Sequence, residues 1–245
     1  MSLEELILVG SAAFITSIIG GVAGYGTGLL MPLVLVPLIG PQAVVPVLGV
    51  SAIFNNLSRI AAFRHDIAWE HVWRISSVAA PFCYLGAAFY AELSGPGAAI
   101  LIGSALIILV PTRRWLKQLK KTLSPPAITG AGALFGLVTG GVPGGGIILI
   151  SLLMTLGVTG GATIATDAMI SLLVGFVKIG TFQSYGQLPW DSWALAALIG
   201  TIGIPGAFCA KWISSRLSVT VHTAIMDAMV MIGGALLIAR GWNMI

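Results

Sequence analysis

Arg59, Asp167 and Lys178 are ionisable residues inside long apolar runs of a 245-residue chain in which only 8% of residues carry a formal charge. An ionisable side chain at membrane depth costs roughly 2.5–3.5 kcal/mol on insertion scales, so by default it marks a functional site. Lys178 stands apart from every other basic group and is a candidate counter-charge for an anion. Arg59 offers the same chemistry, but it lies close to Arg64 and can also snorkel to a membrane interface. Asp167 is seven residues into its apolar run, and Asp227 is placed in the same way near the end of the chain. A buried acid suits proton coupling; alternatively, Asp167 pairs with Thr163 or Thr166 or caps the turn at Gly160-Gly161. Asn55 and Asn56 are adjacent, so on a helix they point about 100° apart and at most one faces a pathway. An amide there can donate to anion oxygens or to a neighbouring helix.

The other candidate chemistry is backbone chemistry. "GGVAGYG" at 20–26 and "GGVPGGG" at 140–146 interrupt runs that otherwise read as membrane helices. Glycine is a poor helix former, and backbone freed from helical bonding survives in a membrane only where it is buried in protein or lines a wet cavity. A helix that begins just after such a break points unsatisfied N–H groups and a positive dipole end at that cavity, which suits an anion. On this reasoning Gly24, Gly26, Gly144, Gly145 and Gly146 are candidate anion-holding positions. Tyr25 and Thr27 add hydroxyl donors beside the first break, and Thr139 adjoins the second. The competing reading is close helix packing, because Gly20, Gly24 and Gly28, like Gly136, Gly140 and Gly144, form small-xxx-small ladders.

The elements that must position these residues are membrane spans. The chain is 57% hydrophobic with a mean hydropathy of +1.01, far from the roughly one-quarter charged content of soluble domains. Several apolar stretches are about 20 residues long, enough to cross a bilayer. The opening "MSLEELILVG" carries Glu4 and Glu5 where a cleaved signal peptide has a basic segment, so no cleavage is expected. Cys83 and Cys209 lie in apolar runs and read as packing residues. His65 and His71 lack the spacing of a helical metal site, and no cofactor or metal is expected.

Apolar runs fall at about 5–39 (broken by the first glycines), 42–62, 70–91 and 97–112, and then at about 127–158 (broken again), 161–181, 190–210 and 220–240. The order repeats: one broken run, then three spans. The two glycine stretches superpose at a shift of 120 residues with five of seven positions identical. The same shift aligns Gly40 with Gly160, Ser51 with Ser171 and Trp73 with Trp193. Residues 1–112 and 127–245 are therefore expected to be two repeats joined by a basic linker at 113–126.

Ten of the twelve basic residues fall into three groups, at 59–74, 113–121 and 211–216, which the positive-inside rule places in the cytoplasm. The breaks between them carry Glu92 and Asp191 instead. This orientation gives each half an odd number of crossings, three or five, and places both termini outside. The halves are then inverted relative to each other, an architecture of many secondary transporters. The basic balance is a topology signal and implies no nucleic-acid partner.

The residues "GGVAGYGTGLLMP", the following "GPQAVVPVLGVSA" span, "FRHDIAWEHVW" and the second "GGVPGGGIILI" together resemble the sulfite exporter TauE/SafE family over nearly the whole chain. The resemblance implies transport of a small sulfur-containing anion (sulfite, a sulfonate such as sulfoacetate, or thiosulfate) across a bacterial inner membrane. Two features depart from the family pattern: Tyr25, where more glycine is usual, and Asn55-Asn56, in a span that is usually small and apolar.

The expectation is an all-α integral membrane protein of two inverted repeats, each a broken or re-entrant helical hairpin plus three transmembrane helices. It is expected to be a multi-pass transporter and not an enzyme, working by alternating access with proton coupling as one option. Its partners are a small anion and the lipid bilayer, with a homo-oligomer left open. An anion channel with the same broken helices and a non-transporting scaffold are the alternatives.

Overall fold

The computed structural model describes residues 2–23, 27–118, 124–214 and 219–243. The described chain is helical and contains no strand. In the first half, α1 (Leu3–Ala23) and α2 (Thr27–Ile39) flank the first glycine break, followed by α3 (Pro41–Phe63), α4 (Trp69–Ala91) and α5 (Gly95–Gln118). In the second half, α6 (Pro125–Gly141) and α7 (Gly146–Thr155) flank the second break, followed by α8 (Gly160–Ser184), α9 (Trp190–Ser214) and α10 (Val219–Trp242). Among the described residues, four helices are long and apolar enough to cross a membrane: those beginning at Pro41, Trp69, Gly95 and Gly160.

Local chemistry explains the boundaries. Pro41 opens α3 and Pro125 opens α6 at first-turn positions, where a missing N–H costs nothing. Gly40 and Gly160, which align at the 120-residue shift, both take positive φ (78° and 61°) at the turns into α3 and α8. α2 has 13 residues and α7 has 10, about 20 and 15 Å of helix, both short of a hydrocarbon layer about 30 Å thick. One boundary differs from the sequence expectation: α5 continues through Gln118 into the basic stretch. Arg, Leu, Lys and Gln are good helix formers, so the helix continues past its last apolar turn.

Several helix pairings in one half have a counterpart in the other. α1 packs on α9 and α6 on α4; α3 packs on α9 and α8 on α4; α2 packs on α10 and α7 on α5. α3 and α8 pack on each other, as do α5 and α10. Exchanging α1–α5 for α6–α10 turns each of these contacts into another of the same set. Close approaches give the directions. Gly132, Gly136 and Gly140 of α6 face Ile75, Ala79 and Cys83 of α4 in the same order, so this pair is parallel. Gly10 faces Ile202 and Gly206 faces Ser17, so α1 and α9 are parallel as well. α3 and α8 run antiparallel, with Gly49 against Lys178 and Arg59 against Asp167. α5 and α10 are also antiparallel, with Gly103 against Gly234 and Ile100 against Gly241.

The core lies along these seams. Tyr90 is fully buried on α4, donates its hydroxyl to the Pro41 carbonyl, and meets Phe182 of α8 edge-on at 5.8 Å between centroids. Gly136 and Gly140 lie so close to the Ala79 and Cys83 carbonyls that any side chain would overlap the α4 backbone. This part of the second glycine ladder is therefore a packing surface.

Candidate functional site

A cavity of about 230 Å³ lies between α3 and α8, with its other wall formed by the start of α2, the end of α6 and the second glycine break. α3 contributes Gly49, Ala52, Asn56 and Arg59, and α8 contributes Asp167, Ser171, Gly175 and Lys178. Both sets are spaced at three or four residues, so each is one stripe of one helix. Because the helices are antiparallel, Lys178 is level with Gly49 at one end and Asp167 with Arg59 at the other. The ten residues from Gly49 to Arg59 make this slot about 15 Å long. Small residues in its middle levels leave the space open.

At one end, Lys178 is 6% exposed and donates from Nζ to the Thr139 carbonyl at 2.7 Å. Thr139 lies in the last turn of α6, where carbonyls lack helical partners and the dipole is negative, so the ammonium caps that helix. The lysine stem passes over Gly49, where a Cβ would stand 3.4 Å from Cε. The second break lies beside it. Val142 is extended, Gly144 has φ +91°, and α7 starts at Gly146. The first bonds of α7 run from the Ile147 and Ile148 amides to the Gly144 and Gly145 carbonyls, at 3.4 and 3.0 Å. The amides of Gly144, Gly145 and Gly146 come ahead of that ladder, and all three residues line the cavity. Gly144 admits no side chain because Leu29 occupies the position, whereas Gly146 faces open space.

At the other end, Arg59 Nη2 bonds Asp167 Oδ2 at 2.8 Å, with the arginine side chain 35% exposed and the aspartate 3%. Asp167 therefore pairs with a cation from the other half, and its two threonine neighbours are engaged elsewhere. Thr163 donates to the Val158 carbonyl (2.8 Å), and Thr166 accepts the Ala68 amide (3.0 Å). Asp167 Oδ1 and Thr139 Oγ1 are buried and have no hydrogen-bond partner among the described residues.

The structure brings Asn56, Arg59, Gly144, Gly145, Gly146, Asp167 and Lys178 together around one cavity. Asn55 is placed elsewhere, its amide against Gly203 of α9 with Oδ1 3.1 Å from the position of a Cβ there. Asp227 is buried on α10 and is not part of the cavity lining. Gly24, Tyr25 and Gly26 lie outside the described residues, as does the side chain of Thr27. Of the basic linker and the 211–216 group, Lys120, Lys121 and Arg216 lie outside the described residues, and so do the side chains of Arg113, Arg114, Lys117 and Lys211. Gly28, expected only as a packing glycine, lines the cavity, as do Gly49, Ser171 and Gly175, which were not expected in the site. The three-to-four spacing back from Lys178 and Arg59 is the sequence signal that could have found the last three.

The fold and the cavity define a class, a polytopic helical membrane protein with a small, charged, glycine-walled cavity at a helix break. The chain belongs to the sulfite exporter TauE/SafE family, whose model matches residues 9–237. This is a family of membrane transporters of sulfur anions. No curated protein and no solved structure matches the chain.

Proposed function

We propose that this protein is a secondary transporter that carries a small sulfur oxyanion through the α3–α8 cavity by alternating access between two inverted repeats. One observation carries the reading: Lys178, Arg59 and the start of α7 all line a single cavity. With Asp167 ionised, the side chains there sum to one positive charge, and the α7 dipole adds to it. Anion oxygens would be held by amides around Gly144–Gly146 and by Lys178, which has donors beyond the one given to Thr139. Gly24, Tyr25, Gly26 and Thr27 are further candidate ligands for the anion by residue type.

The antiparallel packing of α3 on α8 and of α5 on α10 supports inversion, since equivalent helices of inverted repeats must run in opposite senses. The seam between the halves then passes through the cavity, and movement of one half against the other exposes it alternately to either side. Coupling to protons would run through Asp167, the acid in the cavity lining. The setting is an inner membrane with the central basic loop in the cytoplasm.

Uptake of labelled sulfite into liposomes carrying the purified protein tests the reading, with competition by sulfonate, thiosulfate and carboxylate analogues. Saturable uptake inhibited by sulfur anions is expected. Uptake that never saturates, or that no sulfur anion inhibits, would overturn it.

A further inference from the structure

The cavity holds a group that an anion site does not need. Asp167 is a carboxylate 2% exposed, with Oδ2 fixed by Arg59, while Oδ1 meets no donor among the described residues. A buried carboxylate oxygen left unpaired is costly, and an ionised carboxylate can only accept hydrogen bonds. Ser171 lies one turn along α8 and Asn56 one turn back along α3 from Arg59, so this level of the slot is polar on both walls. Arg59 keeps donors beyond the one spent on Asp167. A fully deprotonated anion would satisfy Arg59 but would set its own oxygens against Oδ1.

We propose that Asp167 is a specificity-determining residue: its free oxygen selects sulfur monoanions that carry their own hydrogen-bond donor, while Arg59 holds the anion's oxygens. The donor is either the acid O–H of hydrogensulfite or a hydroxyl on an organic sulfonate. The inference rests on the transport reading above and adds the protonation state and shape of the substrate. A proton coupled to transport then travels on the ligand, and Asp167 couples it by reading it. The single net positive charge of the cavity matches a monoanion better than a dianion. Among the described residues, few ionisable groups lie on the elements packed around Asp167. Arg59 comes from α3 and Lys178 from its own helix, Cys83 of α4 lies 3.6 Å from the Val174 carbonyl, and Asp66 lies at Gly161. α6 and α7 contribute no ionisable side chain.

The test is inhibition of labelled sulfite uptake in liposomes by 2-hydroxyethanesulfonate and by 1-propanesulfonate, which have equal charge and heavy-atom count and differ by one hydroxyl. The hydroxy compound should inhibit about tenfold to a hundredfold more strongly, the effect of a hydrogen bond to a charged group. In Asp167→Asn, whose amide both donates and accepts, the ratio should fall towards one. Equal inhibition by the pair in the unaltered protein overturns the proposal, and this arm does not depend on the variant folding. If neither sulfonate inhibits, sulfite uptake is compared at pH values where the monoanion or the dianion predominates. Uptake that follows the monoanion supports the acid O–H as the donor, and uptake that follows the dianion overturns the proposal. Absence of any sulfite uptake would instead defeat the transport reading itself.

Discussion

Gly28 lies against the backbone of Gly144, so closely that a Cβ on Gly28 would stand 3.2 Å from the Gly144 amide nitrogen. Gly28 lies in the first turn of α2 and Gly144 within the second glycine break, so the start of α2 approaches that break beside the cavity. A methyl on Gly28 would need the Gly144 backbone to give by a few tenths of an ångström, and Gly144 itself has φ +91°, which favours glycine.

The two glycines of the second break should respond differently to alanine. Gly144→Ala forces a left-handed φ on an L-residue and drives its methyl into Leu29. It should cost about 1–3 kcal/mol or more, read as a lower Tm in detergent. Gly146→Ala meets nothing within 4 Å, so it should fold normally and change sulfite affinity instead.

Arg59→Ala should strip Asp167 of its counter-charge and destabilise the protein by about 3 kcal/mol, the low end for a broken buried pair because Arg59 is one-third exposed. Removing both charges with Arg59→Met and Asp167→Leu should recover most of that stability, measured by thermal unfolding, while sulfite uptake stays lost. Recovery of uptake in the double variant would show that the pair serves folding alone.

Lys178→Met should weaken sulfite binding about tenfold to a hundredfold, the effect of losing a charge-assisted contact, as measured by calorimetry on protein in nanodiscs. It should also cost up to about 2 kcal/mol, because the α6 C-terminus loses its cap. Gly49→Ala places its methyl at an ordinary contact distance from the lysine stem and should be tolerated. Gly49→Leu should push the stem aside and reproduce the binding loss of Lys178→Met.

The orientation is tested by reporters that fluoresce only in the cytoplasm. A reporter inserted at 119–123 should fluoresce, and reporters at either terminus should not. Fluorescence from a terminus and from the central loop alike would remove the odd number of crossings per half, and with it the inversion.

Much of this was legible before any coordinate. Apolar length alone located the helices, because the bilayer fixes how many residues a span requires. The second broken run was visible as glycines, with a matching glycine stretch 120 residues earlier. The extension of α5 to Gln118 was not, because the apolar signal stops at the basic residues although the helix itself continues.

Sequence determined the elements and which residues were out of place in them: Arg59, Asp167 and Lys178 are conspicuous because charge is costly in an apolar span. Only the tertiary structure decided their partners. Asp167 had plausible partners within its own helix, and it is the antiparallel register of α3 on α8 that brings Arg59 to it instead. The same register sets Lys178 over Gly49 and gives its charge to the end of α6. It also leaves Asn55 against α9 while Asn56 faces the cavity. Spacing along one helix shows which residues share a face, but the choice between neighbouring faces and levels depends on how two distant helices settle against each other.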